Sequence, residues 1–191
     1  MQKKNTISLP VLRKDYYKSY VFSDDPWESF YVNGHSVVKV TNSSPKELRR
    51  AVYTFAVYFR REFNYDFIQY SVNDCDDAEA YLFINRDDDC NGNREAIGSA
   101  CFRSRITRHD RDILKPRWWL DWVWFHPYFR SKGNFSKFIP IIEKNHPECI
   151  LCPPLSPIMK LCDMKYNICH AEHIEHTRII KFPPHERSDS D

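Results

Sequence analysis

With 191 residues, 42% of them hydrophobic and 15% aromatic, the chain holds enough apolar material for one folded domain and is no disordered tail. A formal net charge of +2 gives no lean towards nucleic acid, and no run is apolar enough to span a bilayer. The opening Met-Gln-Lys-Lys-Asn-Thr has no apolar stretch behind its lysines, so no secretory signal is expected, and seven irregularly spaced cysteines fit a reducing, cytoplasmic setting better than a disulfide framework.

Residues 1–28 carry Tyr16, Tyr17, Tyr20 and Trp27, and the expectation is an extension packed on the domain. The domain itself is expected over 29–182, with 183–191 a flexible tail. Val37, Val38 and Val40 predict a first strand. Ser44-Pro45-Lys46-Glu47 predicts a helix start, with Ser44 as cap, Pro45 at the first helical position and Glu47 completing a capping box. Leu48, Val52, Phe55, Phe59 and Phe63 then recur at helical spacing. Tyr65 to Cys75 is a weak candidate for a second helix. Ala78 to Asn85 and Ala96 to Ile106 read as strands, joined by a loop with Asn91-Gly92, a hairpin signal. A polar segment, Thr107 to Lys115, leads into an aromatic strand ending near Phe125. Phe135, Phe138, Ile139 and Ile142 mark a helix that Pro140 is expected to kink. Cys149 to Cys152 reads as a short strand. Ser156-Pro157 starts a helix running to about Tyr166, and Arg178 to Phe182 is a candidate last strand.

Residues 120–136 carry the most chemistry. An apolar strand runs through His126-Pro127 into Arg130-Ser131-Lys132-Gly133, and a helix opens there. The first N–H groups of a helix lack intrahelical acceptors, and its dipole adds partial positive charge. Arg130 and Lys132 flank that point, so a phosphate is the expected guest.

This stretch resembles the GNAT superfamily of acyl-CoA-dependent N-acyltransferases, which carries Val-x-Pro-x-x-Arg-x-x-Gly-x-Gly/Ala between a strand and a helix. Pro127, Arg130 and Gly133 match, while Phe135 stands where the family has a small residue. The resemblance covers residues 79–166, and 30–78 more loosely. It implies an α/β fold with a mixed, mostly antiparallel central sheet flanked by helices, and an acyl-CoA-binding domain over 29–182. It implies acetyl-CoA (coenzyme A) as cofactor and direct transfer of the acetyl group to an amine. By the same resemblance, Val123, Trp124 and Phe125 pair with the pantetheine arm. Arg130, Ser131, Lys132, Gly133, Asn134, Phe135 and Ser136 then hold the pyrophosphate.

Asp121 is the acidic side chain within the aromatic strand. Strand alternation puts it on the face of Val123 and Phe125. Burial beside tryptophans would raise its pKa, as a base that deprotonates the acceptor requires. The competing reading is a carboxylate paired with a nearby Arg. The family's general acid, a tyrosine, would fall at Leu161, leaving Ser156, Cys162 and Tyr166 as substitutes. That departure sets up a second reading of the whole chain, a catalytically degenerate GNAT-fold module that binds a partner or CoA. The acceptor is expected to be a small-molecule or peptide amine. A homodimer is left open, and neither a membrane nor nucleic acid is expected as partner.

Other clusters have plainer readings. Trp118, Trp119, Trp122 and Trp124 are expected to pack both faces of a buried strand, with one of them lining the acceptor cleft as the alternative. Cys149 and Cys152, with Cys169, His170, His173 and His176, have zinc-ligand types, but residues three apart on a strand face opposite sides, so no metal is expected. Asp87 to Gly92 imitates half a calcium loop, but Gly98 falls where a bidentate Glu is needed. Arg103, Arg105, Arg108, Arg111, Lys115 and Arg117 are expected to form a solvated basic stretch.

Overall fold

Period-two apolar patterning becomes one mixed sheet in the computed structural model, which describes residues 17–22, 37–73, 76–85, 94–108, 114–147, 149–152 and 178–179. The strands are β1 (Tyr20–Phe22), β2 (Val37–Val40), β3 (Ala78–Asn85), β4 (Arg94–Arg108), β5 (Leu114–Phe125), β6 (Ile150–Leu151) and β7 (Arg178–Ile179). The main path runs β2-β3-β4-β5-β6, antiparallel throughout except for the parallel β5–β6 pair. β4 is long enough to serve four neighbours. β3 and β7 share one edge, and β5 and β1 follow one another along the other. β1 lies in the stretch whose elements the sequence pattern leaves unassigned. Tyr17 and Tyr20 pack against the core there, and Phe22 is buried.

Two helices cover opposite faces. α1 (Lys46–Phe63) buries Leu48, Val52, Phe55 and Phe59 against Val38, Val40, Leu82, Trp122 and Trp124. α2 (Asn134–Asn145) buries Phe138, Ile139, Ile141 and Ile142 against Tyr81, Phe83, Phe102 and Leu120. Trp119, Trp122 and Trp124 are buried and Trp118 is half-buried, so both faces of β5 are packed.

Three local expectations differ from what forms. The capping box at α1 does not form. Pro45 is the cap residue with no side-chain cap bond, and the Ser44 hydroxyl instead accepts from the Thr41 amide at 3.0 Å. The described part of the 65–75 stretch is bends rather than a helix, its carbonyls tied down by arginines: Arg49 donates to Val72 O and Arg103 to Gln69 O. α2 continues as one helix through an exposed Pro140. The 86–93 loop, the 156–166 helix with Ser156, Leu161, Cys162 and Tyr166, and Cys169 to His176 lie outside the described residues. No described helix is long and apolar enough to cross a membrane.

Candidate functional site

The site begins beyond the last described contact between β5 and β6. β6 pairs with β5 only at Trp119↔Ile150 and Leu120↔Leu151, and a last bond runs from the Cys152 amide to Leu120 O at 3.0 Å. β5 continues to Phe125, so its edge beyond Leu120 has no strand beside it among the described residues. Backbone alternation decides which groups face that edge. His126 N donates to Ile97 O at 2.8 Å, so the even residues turn their backbone groups towards β4 and Val123 and Phe125 turn theirs away. Trp124, one of three residues expected to pair with a pantetheine arm, therefore spends its backbone inside the sheet. Phe125 O accepts from Arg130 Nε at 2.8 Å. Val123 is left with both groups directed at the open edge.

A bulge sits at the apex of this opening. Cys101 pairs with Trp122 and Phe102 with Leu120, so Asp121 is the extra residue on β5. The bulge overturns simple alternation: Asp121 shares the side of Arg103, Arg105 and Trp122 rather than that of Val123 and Phe125. Arg103 and Trp122 both donate to Gln69 O there. The Asp121 side chain is 2% exposed, with Oδ1 2.5 Å from Arg105 Nη2 and Oδ2 3.5 Å from Arg103 Nε. Burial is the largest influence and raises its pKa; Arg105 and Arg103 pull the other way. Arg105 also donates to Cys152 Sγ at 3.4 Å, so one guanidinium bridges a carboxylate and a thiol at the apex. Burial raises the Cys152 thiol and keeps it protonated, with Arg105 opposing. The expected solvated basic stretch is thus divided, since Arg103 and Arg105 turn into the sheet. Cys149 lies in the core on the α2 side.

The turn after β5 is built to present amides. His126 Nε2 lies 3.1 Å from Tyr17 O and must donate to it, which leaves Nδ1 to accept from Tyr128 N. A 3-10 turn, Pro127–Phe129, follows, and Asn134 Nδ2 ties α2 back to Phe129 O at 2.8 Å. Ser131 and Gly133 take positive φ of 60° and 75°. At Gly133 that conformation favours glycine, and a Cβ placed there would meet nothing within 4 Å. Among the described residues a side chain at this position would therefore stand in open space, and Gly133, the cap residue of α2, makes no side-chain cap bond. Lys132 is exposed, with its ammonium 5.1 Å from the Phe129 ring. Phe135, in the position the family gives to a small residue, lies beside Phe138 rather than across the turn. Ser136 is exposed on the first turn of α2.

Arg130 departs from the simple expectation. Its amide caps the 3-10 turn by donating to Pro127 O at 3.3 Å. Its guanidinium makes a bidentate pair with Glu62 of α1, at 2.5 and 2.6 Å. Both groups are therefore already engaged. The competing reading of Asp121, a pair with a nearby Arg, is what forms with Arg105, whereas nothing in the sequence marks Glu62 or Gln69 as members of the site, because their partners are 34 to 68 residues away.

No family model and no curated protein sequence matches the chain. Solved structures do. The acetyltransferase domain of xEco2 bound to a CoA conjugate aligns with a TM-score of 0.52 and 12% identity, over 70% of this chain and 87% of that one. Another structure of the xEco2 acetyltransferase domain gives 0.50 and 12%, over 80% and 92%. The chain has the GNAT fold. A third match, to the aminoglycoside N-acetyltransferase AAC(6')-Iy in complex with CoA, is looser, with a TM-score of 0.43 and 14% identity over 77% and 97%. The unpaired stretch of β5 and the glycine turn at α2 both fall within residues 120–136, the stretch that carries the sequence motif.

Proposed function

We propose that this GNAT domain transfers an acetyl group from acetyl-CoA to a primary amine by direct attack. One observation carries the reading: among the described residues, a positive-φ glycine turn with open space at its glycine begins a helix at the end of a strand whose outer edge is unpaired beyond Leu120. Acetyl-CoA supplies the activated thioester. The chain's contribution is placement. The amides of the 131–135 turn and the α2 dipole suit a pyrophosphate, and Lys132 adds an exposed cation. Val123 offers a donor and an acceptor to an amide-bearing arm laid along β5. Such an arm, running from the turn along β5, ends at the bulge, beside Asp121.

Asp121 is the group proposed to take the acceptor's proton. Its raised pKa suits a base, and Arg105 and Arg103 hold it in one orientation. Its place at the bulge, on the α1 side, implies that the acceptor approaches from the Gln69 side of the sheet. The acceptor class proposed is a small-molecule or peptide amine, met in a reducing, cytoplasmic setting. A second reading, a CoA-binding module without turnover, is favoured by the same ion pair, since a carboxylate held by two arginines gives up part of its basicity.

The test is direct. Acetyl-CoA at millimolar concentration should raise the melting temperature of the protein by mass action. Gly133→Asp puts a carboxylate in the open space and a strained φ in the turn, and should abolish that rise. A wild-type melting temperature indifferent to acetyl-CoA would remove the cofactor assignment. If binding is seen, a mass-shift screen over candidate amines separates transferase from module, because the module leaves every amine unchanged.

A further inference from the structure

The group bridging α1 to the cofactor turn is Glu62, at a position that no sequence motif points to. Its carboxylate receives both terminal nitrogens of Arg130, at 2.5 and 2.6 Å, and the indole N–H of Trp124 at 2.7 Å. Arg130 Nε donates to Phe125 O at 2.8 Å, and its guanidinium lies 5.5 Å from the centre of the Trp124 ring. Trp124 is itself buried under α1, 5.6 Å from Phe55 and 5.3 Å from Tyr58 between ring centres. The Glu62 side chain is 14% exposed. Three of the five N–H donors of the guanidinium are thus directed inward, at α1 and at the end of β5.

We infer that Arg130 acts as a strut rather than as a phosphate ligand, and that Glu62 is the positioning residue that fixes the cofactor turn. The inference rests on the reading of that turn as the CoA pyrophosphate site. A turn with Ser131 at positive φ and few side-chain anchors needs an external hold to keep its amides convergent. Asn134 supplies one hold from α2, and the Glu62–Arg130 pair supplies the other from α1. Helix α1 is thereby coupled to cofactor affinity without touching the cofactor. The same pair occupies Phe125 O, so it also sets where the open backbone of β5 begins.

The sign of one substitution separates strut from ligand. If Arg130 bound phosphate, removing the charge of Glu62 would free the guanidinium and raise the local positive potential, and acetyl-CoA would bind tighter. On the strut reading, Glu62→Gln loosens the turn and acetyl-CoA binds more weakly. The expected loss is roughly ten- to a hundredfold, by analogy with outer partners that orient metal ligands. Calorimetric titration of the full chain with acetyl-CoA reads this. Amide hydrogen exchange supplies a local check: 131–135 should exchange faster in Glu62→Gln while the β3–β4 core keeps its protection. Arg130→Lys is the second variant should Glu62→Gln fold poorly. Lysine keeps the charge but not the bidentate pair or the bond to Phe125 O, so the strut predicts faster exchange at 131–135 in the free protein together with the affinity loss, whereas the ligand reading leaves that exchange unchanged. Wild-type binding with equal or tighter binding by Glu62→Gln overturns the strut alone. No binding by the wild type overturns the cofactor reading beneath it, and the inference with it.

Discussion

Asp121 shows how one inserted residue changes the chemistry open to a strand. Without the bulge, its carboxylate would join Val123 and Phe125 on the α2 side, among Phe83 and Phe138 and away from the arginines of β4. With the bulge it meets Arg105 and Arg103. A base in that position must lose its proton before it can act. Because its pKa is raised, activity should fall off on the acid side at a higher pH than an ordinary aspartate would give. Asp121→Asn keeps the shape and can still accept from Arg105, but it cannot take a proton. Turnover at neutral pH should drop about 10²–10⁴-fold while acetyl-CoA affinity stays near wild type. The deficit should shrink in alkaline buffer, where the acceptor amine is already deprotonated. Full activity in the variant at neutral pH would make Asp121 an anchor for Arg105 and nothing more. The acid, the glycine and the arginine of this site were all legible in the sequence as residue types. Their geometry was not, since a bulge leaves no mark on an apolar run, and the Arg130 partner sits in a helix 68 residues earlier.

Among the elements, the strands and helices with strong periodicity were readable almost to the residue. β3 spans the expected Ala78–Asn85, and α1 buries its apolar stripe from Leu48 to Phe59, while Phe63, the last residue of the expected stripe, is exposed. β1 was not readable, because three residues pair with the far end of β4 and carry no alternation long enough to detect. The capping box failed for a related reason: Thr41 competes for the Ser44 hydroxyl and wins. The close approach of β4 and β5 was equally hidden, and Gly98 is its cause. A Cβ there would collide with Trp124 O and would press on Phe125 at 3.0 Å. That backbone is the inner wall of the proposed cofactor edge, and it cannot retreat without breaking the β4–β5 ladder. Gly98→Ala should therefore lower stability by about 1–3 kcal/mol. In urea the midpoint should fall with the slope unchanged. An unaltered midpoint would mean that the two strands separate locally at little cost.

At the scale of the molecule, the sheet keeps two dissimilar cores. The α1 face is aromatic and closes over the Glu62 network, while the α2 face encloses a buried polar group, His146. His146 is 1% exposed, stacked 4.1 Å from Phe102, with Nε2 2.9 Å from the Tyr81 hydroxyl and Nδ1 without a hydrogen-bond partner among the described residues. Glu79 lies 3.5 Å from Nε2, and alone it would favour a charged ring, but Lys39 pairs with Glu79 at 2.8 Å and opposes that. Burial dominates and lowers the His146 pKa from 6.5 to about 4. The sign follows from linkage. The unfolded chain takes up a proton near pH 6.5 while the folded chain resists until about pH 4, so stability is intact above the first value and is lost as pH falls towards the second. The shift corresponds to at most about 3 kcal/mol. Urea unfolding between pH 7 and pH 4 should show this decline along with that of the carboxylates. The double variant Tyr81→Phe, His146→Phe isolates it, since replacing both partners by apolar rings of similar shape leaves neither hydroxyl nor imidazole orphaned. Its stability should fall less steeply over the same pH range. Parallel pH profiles for the variant and the wild type would show that His146 takes up its proton in the folded core, and that the α2 face has room for a charge.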